Sequence, residues 1–326
     1  MRFLSGIRPT NLLHIGNYFG AMRQFVEFQK EHDGFVMIAD LHALDTETDA
    51  TRLHQNILTL TATYLAVGLD AQKNILFLQS SVPEHTELAH IFSALVRMSE
   101  LERMTQYKDK AKARNENVPV ALFTYPLLMA ADILMYEPDI VPVGDDQTQH
   151  VEMTRDIAER FNRHYGETFR VPKLHLTKVG ARVMGLDDPT KKMSKSAASA
   201  KNYIALTDDN NTIRKKIMSA VTDSNGIVAY ADDQPGIRNL IDMMHLATGT
   251  TVEKIAASYD GKGYGDLKRD VAEAVVAFVE PLRTGIVDRL KDKTTLAETI
   301  KEGSNRARAL ATKKMESVRK AVGIFA

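Results

Sequence analysis

Phe35-Val36-Met37-Ile38-Ala39 is an unbroken apolar run, and its reading decides the fold. A strand with one wet face alternates apolar and polar side chains, so a short continuous run is the pattern of a strand covered on both faces. Upstream of it, Arg2 to Ile7 reads as a short strand broken by Gly6 and Pro9, and a helix is expected to start near Gly16 and Asn17. Tyr18, Met22, Phe25 and Val26 give that helix an apolar stripe at helical spacing. Downstream, Leu53, Ile57, Leu60, Tyr64 and Val67 recur at intervals of three and four, and Asn74 to Leu78 is a further buried strand. Strands alternating with helices require right-handed crossovers and hence a parallel, doubly wound sheet.

The alternation continues. Residues 84–115 read as helical, a helix runs from Tyr125 to Tyr136, and Asp139 to Gly144 gives a short strand and turn. Asp145-Asp146-Gln147 then opens a helix to about Tyr165. After Val183 the pattern stops, and everything past Asp208 reads as helix, in segments at Ile213–Val221, Ile237–Thr248, Tyr264–Leu290 and a last one to about Val322. The expected fold class is α/β, a doubly wound parallel-sheet (Rossmann-like) domain followed by a C-terminal helical domain. The boundary is set at 186/187, with the last helix free to pack back on the first domain.

Composition narrows the function classes. The chain has 326 residues, 44% hydrophobic and 26% charged, as in an ordinary water-soluble globular protein. No apolar run reaches the roughly 18–20 residues that span a bilayer, and the start Met1-Arg2-Phe3-Leu4-Ser5-Gly6 turns polar too soon for a signal peptide. With no cysteine there are neither disulfides nor thiolate metal sites, and a cytoplasmic location is the default expectation. No spacing of histidines and carboxylates marks a resident metal site. Basic and acidic groups balance at 42 each, which speaks against indiscriminate nucleic-acid binding. The segment 301–326 is locally basic: Lys301, Arg306, Arg308, Lys313, Lys314, Arg319 and Lys320 stand against Glu302 and Glu316. Such a helix is either a solvated outer face or a contact for RNA.

Two stretches carry the chemistry. Lys191-Lys192-Met193-Ser194-Lys195-Ser196 cannot be a buried strand, because unpaired ammonium groups are too costly to desolvate. It reads either as a solvated basic loop or as a clamp whose lysines and hydroxyls neutralise a triphosphate. His14-Ile15-Gly16-Asn17 follows the first strand and opens the first helix, beyond the carboxyl end of the sheet where such folds bind ligands. There a helix start offers free N–H groups to phosphate, and Gly16 allows close approach. No phosphate-binding loop of the Gly-x-x-x-x-Gly-Lys type and no Gly-x-Ser-x-Gly elbow occur. Catalysis by positioning and charge neutralisation, without a side-chain nucleophile, is the expectation.

Those two stretches, together with Ser5-Gly6-Ile7-Arg8-Pro9-Thr10, Glu102-Arg103-Met104-Thr105-Gln106, Leu128-Met129-Ala130-Ala131-Asp132-Ile133-Leu134, Pro142-Val143-Gly144-Asp145-Asp146-Gln147, Val179-Gly180-Ala181-Arg182 and Ala220-Val221-Thr222-Asp223-Ser224, resemble the bacterial tryptophanyl-tRNA synthetases nearly end to end. Lys192-Met193-Ser194-Lys195-Ser196 matches the KMSKS signature of class I aminoacyl-tRNA synthetases and His14–Asn17 their HIGH motif. The resemblance implies a homodimer that uses L-tryptophan, ATP with Mg2+, and tRNA(Trp), and a helical region that recognises the anticodon. It implies catalytic roles for His14, Asn17, Lys192 and Lys195. An ATP site would take in Arg8, Pro9, Thr10, Gly16, Asn17, Lys110, Gly144, Asp145, Asp146, Val183 and Lys192 to Ser196, including Met193 and Ser194. Asp132 would accept the indole N–H, with Met129, Val141, Val143 and Gln147 as walls of the amino-acid pocket.

Read without the family, Asp145 and Asp146 are fair helix caps and Met129 and the valines are equally plain core. Asp132, among Leu128, Met129, Ile133 and Leu134, is a poor surface residue; buried, it needs a donor, and an indole N–H only donates. Two departures stand out. His14 occupies a position that is commonly threonine in the family, and Ala197-Ala198-Ser199-Ala200 replaces the usual acidic, Pro/Asn-rich continuation of the lysine loop. A tyrosyl-tRNA synthetase, a small-metabolite adenylyltransferase and a non-catalytic synthetase paralogue remain the alternatives.

Overall fold

The computed structural model describes residues 1–10, 13–114, 118–144, 147–176, 182–194 and 199–325, with the main chain alone at 109–110, 112–114 and 174–176. Five strands, β1 (Arg2–Ile7), β2 (Asp33–Ile38), β3 (Ile75–Leu78), β4 (Ile140–Val143) and β5 (Lys173–Leu176), form one sheet in the order β3-β2-β1-β4-β5. Every pairing is parallel; Leu4 faces Phe35, which faces Ile75, and Ile140 faces Lys173. The doubly wound α/β reading is borne out. The order reverses at β1, which lies between β2 and β4, so the crevice between β1 and β4 is the ligand position for this topology.

Alternate residues of each strand supply two separate cores. Phe3, Val36, Ile38 and Leu76 point to one face, and Leu4, Met37, Phe77 and Val141 to the other. That is why the strands read as continuous apolar runs.

On the first face lie α1 (Ile15–Asn17), which passes through a wider π-turn at Tyr18–Met22 into α2 (Arg23–Phe28), and α3 (Ala50–Ala66). Asp49 caps α3, accepting from Thr51 N at 2.9 Å and Arg52 N at 3.1 Å. On the second face are α4 (Glu84–Ser93), α5 (Met98–Glu102), α6 (Thr105–Arg114), α7 (Val120–Met135) and α8 (Thr148–Tyr165). The helical stretch expected over 84–115 is therefore three pieces. One break is set by Glu100, which turns back to accept from Arg97 N at 2.8 Å and holds Arg160 at 2.7 Å. The strand β5, too short to show a period, was not anticipated.

Past the sheet come α9 (Asn210–Met218), α10 (Pro235–Thr248), α11 (Val252–Ala257), α12 (Tyr264–Leu290) and α13 (Lys293–Val322). Val271 and Val275 of α12 share a core with Leu58 and Tyr64 of α3. Phe278 stacks on Phe19 at 4.9 Å. The helical part is thus continuous with one core of the sheet. No helix among the described residues is long and apolar enough to cross a membrane.

The last helix returns to the free edge of the sheet at β3. Ser304 Oγ accepts from Leu78 N at 3.1 Å, and a Cβ built on Gly303 would lie 1.9 Å from the Leu76 carbonyl oxygen. Covering the edge in this way leaves it unavailable to other strands. The basic face of α13 is largely occupied within the chain. Arg306 donates to the carbonyls of Ala71 and Asn74, both at 3.2 Å, Arg308 meets Glu84 at 3.4 Å, Lys314 pairs with Glu137, and Arg319 holds Glu87 at 2.7 Å. Most of the charge expected to face solvent or RNA is a clamp on the sheet domain. Gly303→Ala should push α13 off β3 and cost about 1–3 kcal/mol, the usual penalty for overpacking. A lowered thermal midpoint with the same change tolerated at Gly265, exposed within α12, is the expected result; equal midpoints for wild type and Gly303→Ala would remove this role.

Candidate active site

A cavity of about 720 Å³ opens at the carboxyl ends of β1, β2 and β4, under α4 and α7. Gly6, Ile7 and Arg8 enter it from β1, Met37 and Ala39 from β2, and Val141, Val143 and Gly144 from β4. Met129, Asp132 and Ile133 reach it from α7, and Gln147 from the start of α8. Seven residues expected from the sequence therefore meet in one space: Arg8, Met129, Asp132, Val141, Val143, Gly144 and Gln147. The lining is mainly apolar with few polar groups, the usual character of a small-molecule pocket.

Asp132 is 1% exposed, and its environment differs from the sequence argument in one respect. The chain itself supplies donors: Gln79 Nε2 at 2.9 Å from both carboxylate oxygens, His42 Nε2 at 3.0 Å, and His85 Nδ1. A carboxylate can only accept, so both histidines present N–H groups to it. His85 is anchored on its other side, with Nε2 2.7 Å from the Tyr136 hydroxyl. Burial alone would push the Asp132 carboxyl up, but the His42 hydrogen bond and the charge and hydrogen bond of His85 outweigh it. They bring it from 3.8 down to about 2. Burial drives the Tyr136 phenol well above its ordinary range, with the negative charge of Asp132 adding to the effect. The carboxylate is thus charged and rigidly held in an apolar wall.

None of His42, Gln79 and His85 was identified from sequence. His42 and Gln79 had a signal, since each lies just past the carboxyl end of a parallel strand. His85 had none; it sits in the amphipathic helix α4 and looks like any core histidine. Two turns before Asp132 on α7, burial pushes the Tyr125 phenol up to about 12, and its hydroxyl meets His150 Nε2. Arg8 reaches Asp45 at 3.4 Å.

The two signature stretches meet beside this cavity. His14 caps α1 and is 4% exposed; Asn17 Oδ1 turns back to accept from His14 N at 3.0 Å. Ile15 N donates to Ile204 O at 3.0 Å, and Leu206 N to Leu13 O at 2.8 Å, which ties the HIGH-like start to the chain just after the lysine loop. A Cβ on Gly16 would lie 2.9 Å from the His14 ring and 3.7 Å from the Met193 Cβ, so the loop abuts the glycine. Val183 and Met193, each 2% exposed, are anchors in the core rather than cavity walls. Lys192 is exposed opposite Met184 in an antiparallel bridge, and Lys191 pairs with Asp188 at 2.8 Å. Pro9 is buried and Thr10 half-buried, with Thr10 N donating to Arg8 O at 2.8 Å. Lys110 lies on α6, where the main chain alone is described; Asp145, Asp146, Lys195 and Ser196 lie outside the described residues.

With this geometry in hand, three comparisons are informative. The family described as tRNA synthetases class I (W and Y) matches residues 1–280. The tryptophan–tRNA ligase of Clostridium tetani is 48% identical over 98% of this chain and 94% of its own length. Among solved structures, the tryptophanyl-tRNA synthetase of Mycoplasma pneumoniae superposes with a TM-score of 0.90 at 36% identity, covering 99% of this chain and 98% of that one. The Campylobacter jejuni enzyme, solved with ADP and tryptophan, gives 0.87 at 38% identity over 99% and 100% of the two chains. A parallel sheet with a cavity at the β1/β4 crevice, two signature stretches brought into contact with each other, and near-complete coverage by these relatives agree: the chain belongs to the class I tRNA synthetases, among the bacterial tryptophanyl-tRNA synthetases.

Proposed function

We propose that this enzyme activates L-tryptophan with ATP and passes the tryptophanyl group to tRNA(Trp), with the amino acid seated on Asp132. The single observation that carries the assignment of the pocket is that buried, charged carboxylate in an apolar wall of Met129, Ile133, Val141 and Val143. The indole N–H, which can only donate, takes the Asp132 oxygen shared with His42, the one of its three partners that lines the cavity. Gln147 and Arg8 are at hand for the polar end of the substrate.

A tryptophan carboxylate oxygen attacks the α-phosphorus of ATP, the bond to the bridging oxygen breaks, and pyrophosphate leaves. The terminal ribose hydroxyl of the tRNA then takes the acyl group and releases AMP. The Ile15 N–H is given to Ile204 O and the Asn17 N–H to His14 O at 2.8 Å, so the row of free N–H groups expected at this helix start is not there for phosphate. In this reading Gly16 allows close approach of the nucleotide, His14 and Asn17 fix the helix start, and Lys192 and Lys195 neutralise charge as pyrophosphate separates. Arg8, Pro9, Thr10, Gly16, Lys110, Gly144, Asp145, Asp146, Val183, Met193, Ser194 and Ser196 make up the rest of the ATP site, Val183 and Met193 through main chain. Magnesium enters with the triphosphate, as it does when one or two carboxylates and substrate phosphates share it. Residues 1–186 act as the catalytic unit and 187–326 carry the loop and the anticodon-reading helices. The working form is a cytoplasmic homodimer, a reading supported by family membership and by exposed Met98 and Val120 on neighbouring helices.

Amino-acid-dependent exchange of pyrophosphate into ATP tests the activation step. Tryptophan should support it and tyrosine should not. Because the chain contains no tryptophan, a bound indole is the only one present. Its emission should shift to the blue on entering the cavity and should resist displacement by tyrosine. Efficient displacement by tyrosine would move the tyrosyl-tRNA synthetase alternative ahead.

A further inference from the structure

We infer that two buried asparagines, Asn202 and Asn239, are positioning residues that set where the lysine loop stands. The inference rests on the reading of Lys192 as a triphosphate contact. The segment before and into the loop is a narrow hairpin. Met193 N donates to Val183 O at 3.0 Å and Gly185 N to Lys191 O at 2.8 Å, so Met184 faces Lys192 while its own N–H and C=O point away from the pair. Those outward groups would be orphaned at a packed surface, an arrangement that costs free energy. Asn239, 3% exposed on α10, satisfies both: Met184 N donates to its Oδ1 at 2.9 Å, and its Nδ2 donates to Met184 O at 3.0 Å.

Asn202 does the same from the other side. It is also 3% exposed, and four of its groups are engaged. Its Oδ1 accepts from Ser194 N at 2.9 Å, its Nδ2 donates to Asp187, its carbonyl accepts from Leu186 N at 2.9 Å, and its N–H donates to Ser199 O at 3.1 Å. No side chain fits at 185, where a Cβ would lie 2.3 Å from Asn202 Nδ2. Two residues further on, Ile204 O takes the Ile15 N–H. Asn202 therefore joins the last described residue of the loop, Ser194, to the strand before it and to the start of α1. Asn239 joins the same hairpin to a helix of the C-terminal part. Both amides act through the main chain of the loop, and neither lines the cavity that holds Asp132.

The test is a reciprocal swap. Asn202→Asp keeps the size and the Ser194 contact but sets a carboxylate against Asp187. It should lower kcat for pyrophosphate exchange or raise KM for ATP by about 10–100-fold, the scale of a small misplacement of a catalytic group. Tryptophan binding, followed by the blue shift of its indole, should stay within twofold (roughly the spread of uncoupled sites). Adding Asp187→Asn to Asn202→Asp restores a donor–acceptor pair in reverse and should recover most of the loss. Asn239→Asp, which opposes an oxygen to Met184 O, should show the same split between ATP and tryptophan. The inference is overturned if Asn202→Asp keeps wild-type kcat and KM while Lys192→Ala is impaired. It is also overturned if tryptophan binding falls in parallel with exchange, or if the swap fails to rescue. Wild-type exchange by Lys192→Ala would instead overturn the reading of the loop on which it rests.

Discussion

Lys192→Ala should slow tryptophan-dependent pyrophosphate exchange by about 10²–10³-fold in kcat, the value of a charge-stabilising contact made in the transition state. Tryptophan affinity should be unchanged, because an interaction that forms as pyrophosphate separates does not contribute to ground-state binding of the amino acid. The neighbouring residue provides the control. Lys191 carries the same charge, but its ammonium is paired with Asp188 at 2.8 Å, and that contact, together with the hydrogen bonds of Thr190, holds the Asp188 carboxyl at about 2. Lys192 has no carboxylate partner among the described residues and stands on the hairpin beside the α1 start. Lys191→Ala should accordingly be near-silent, since exposed ion pairs contribute about 0–1 kcal/mol. Single-turnover measurement of adenylate formation distinguishes the two. Equal losses for both lysines would mean that the loop acts as a diffuse basic patch and not as a directed clamp.

Asp132→Asn should weaken tryptophan binding by roughly 10–150-fold, the equivalent of about 1.5–3 kcal/mol for a hydrogen bond to a charged acceptor. The amide also turns an N–H toward Gln79, His42 or His85, all of them donors to the carboxylate. The benzothiophene analogue of tryptophan lacks the N–H, so it should bind wild type poorly and lose little in the variant. Equal losses for both ligands would make Asp132 a support for the fold alone. A second readout follows from its depressed pKa. The folded value, about 2, lies below the ordinary 3.8, so the carboxylate contributes stability that is fully present above 3.8. That contribution is lost as pH falls from there through about 2. Acid unfolding over this window should be shallower in Asp132→Asn than in wild type.

The sequence showed the sheet because both of its faces are covered: Val36 and Met37 enter different cores, and neither needs a polar residue between them. Asp132 was legible because a carboxylate in an apolar helix demands an explanation. Its supporting groups were not, because His85 acts through a contact that exists only after α4 packs on α7. The break before α5 is half local: Glu100 returns to Arg97 N three positions back, whereas the Arg160 that holds its carboxylate lies sixty positions further on and leaves no mark in the local pattern. The same holds for the basic residues of α13. Their charge is visible in the letters, whereas their use, on carbonyls and carboxylates from residues 71–87 and 137, is a property of the closed structure.

The clamp of α13 on β3 has a consequence for the growing polypeptide. Ser304, which receives the Leu78 N–H, is made 226 positions after it, a lag of about 10–45 s at a synthesis rate of about 5–20 residues per second. Through that interval the sheet can be assembled from β1 to β5 while its β3 margin stays unpaired and open to any other extended chain on the same messenger. The protein therefore completes its own protection late, and a stop codon in the first turns of α13, ahead of Gly303 and Ser304, would release a molecule whose β3 margin is sticky.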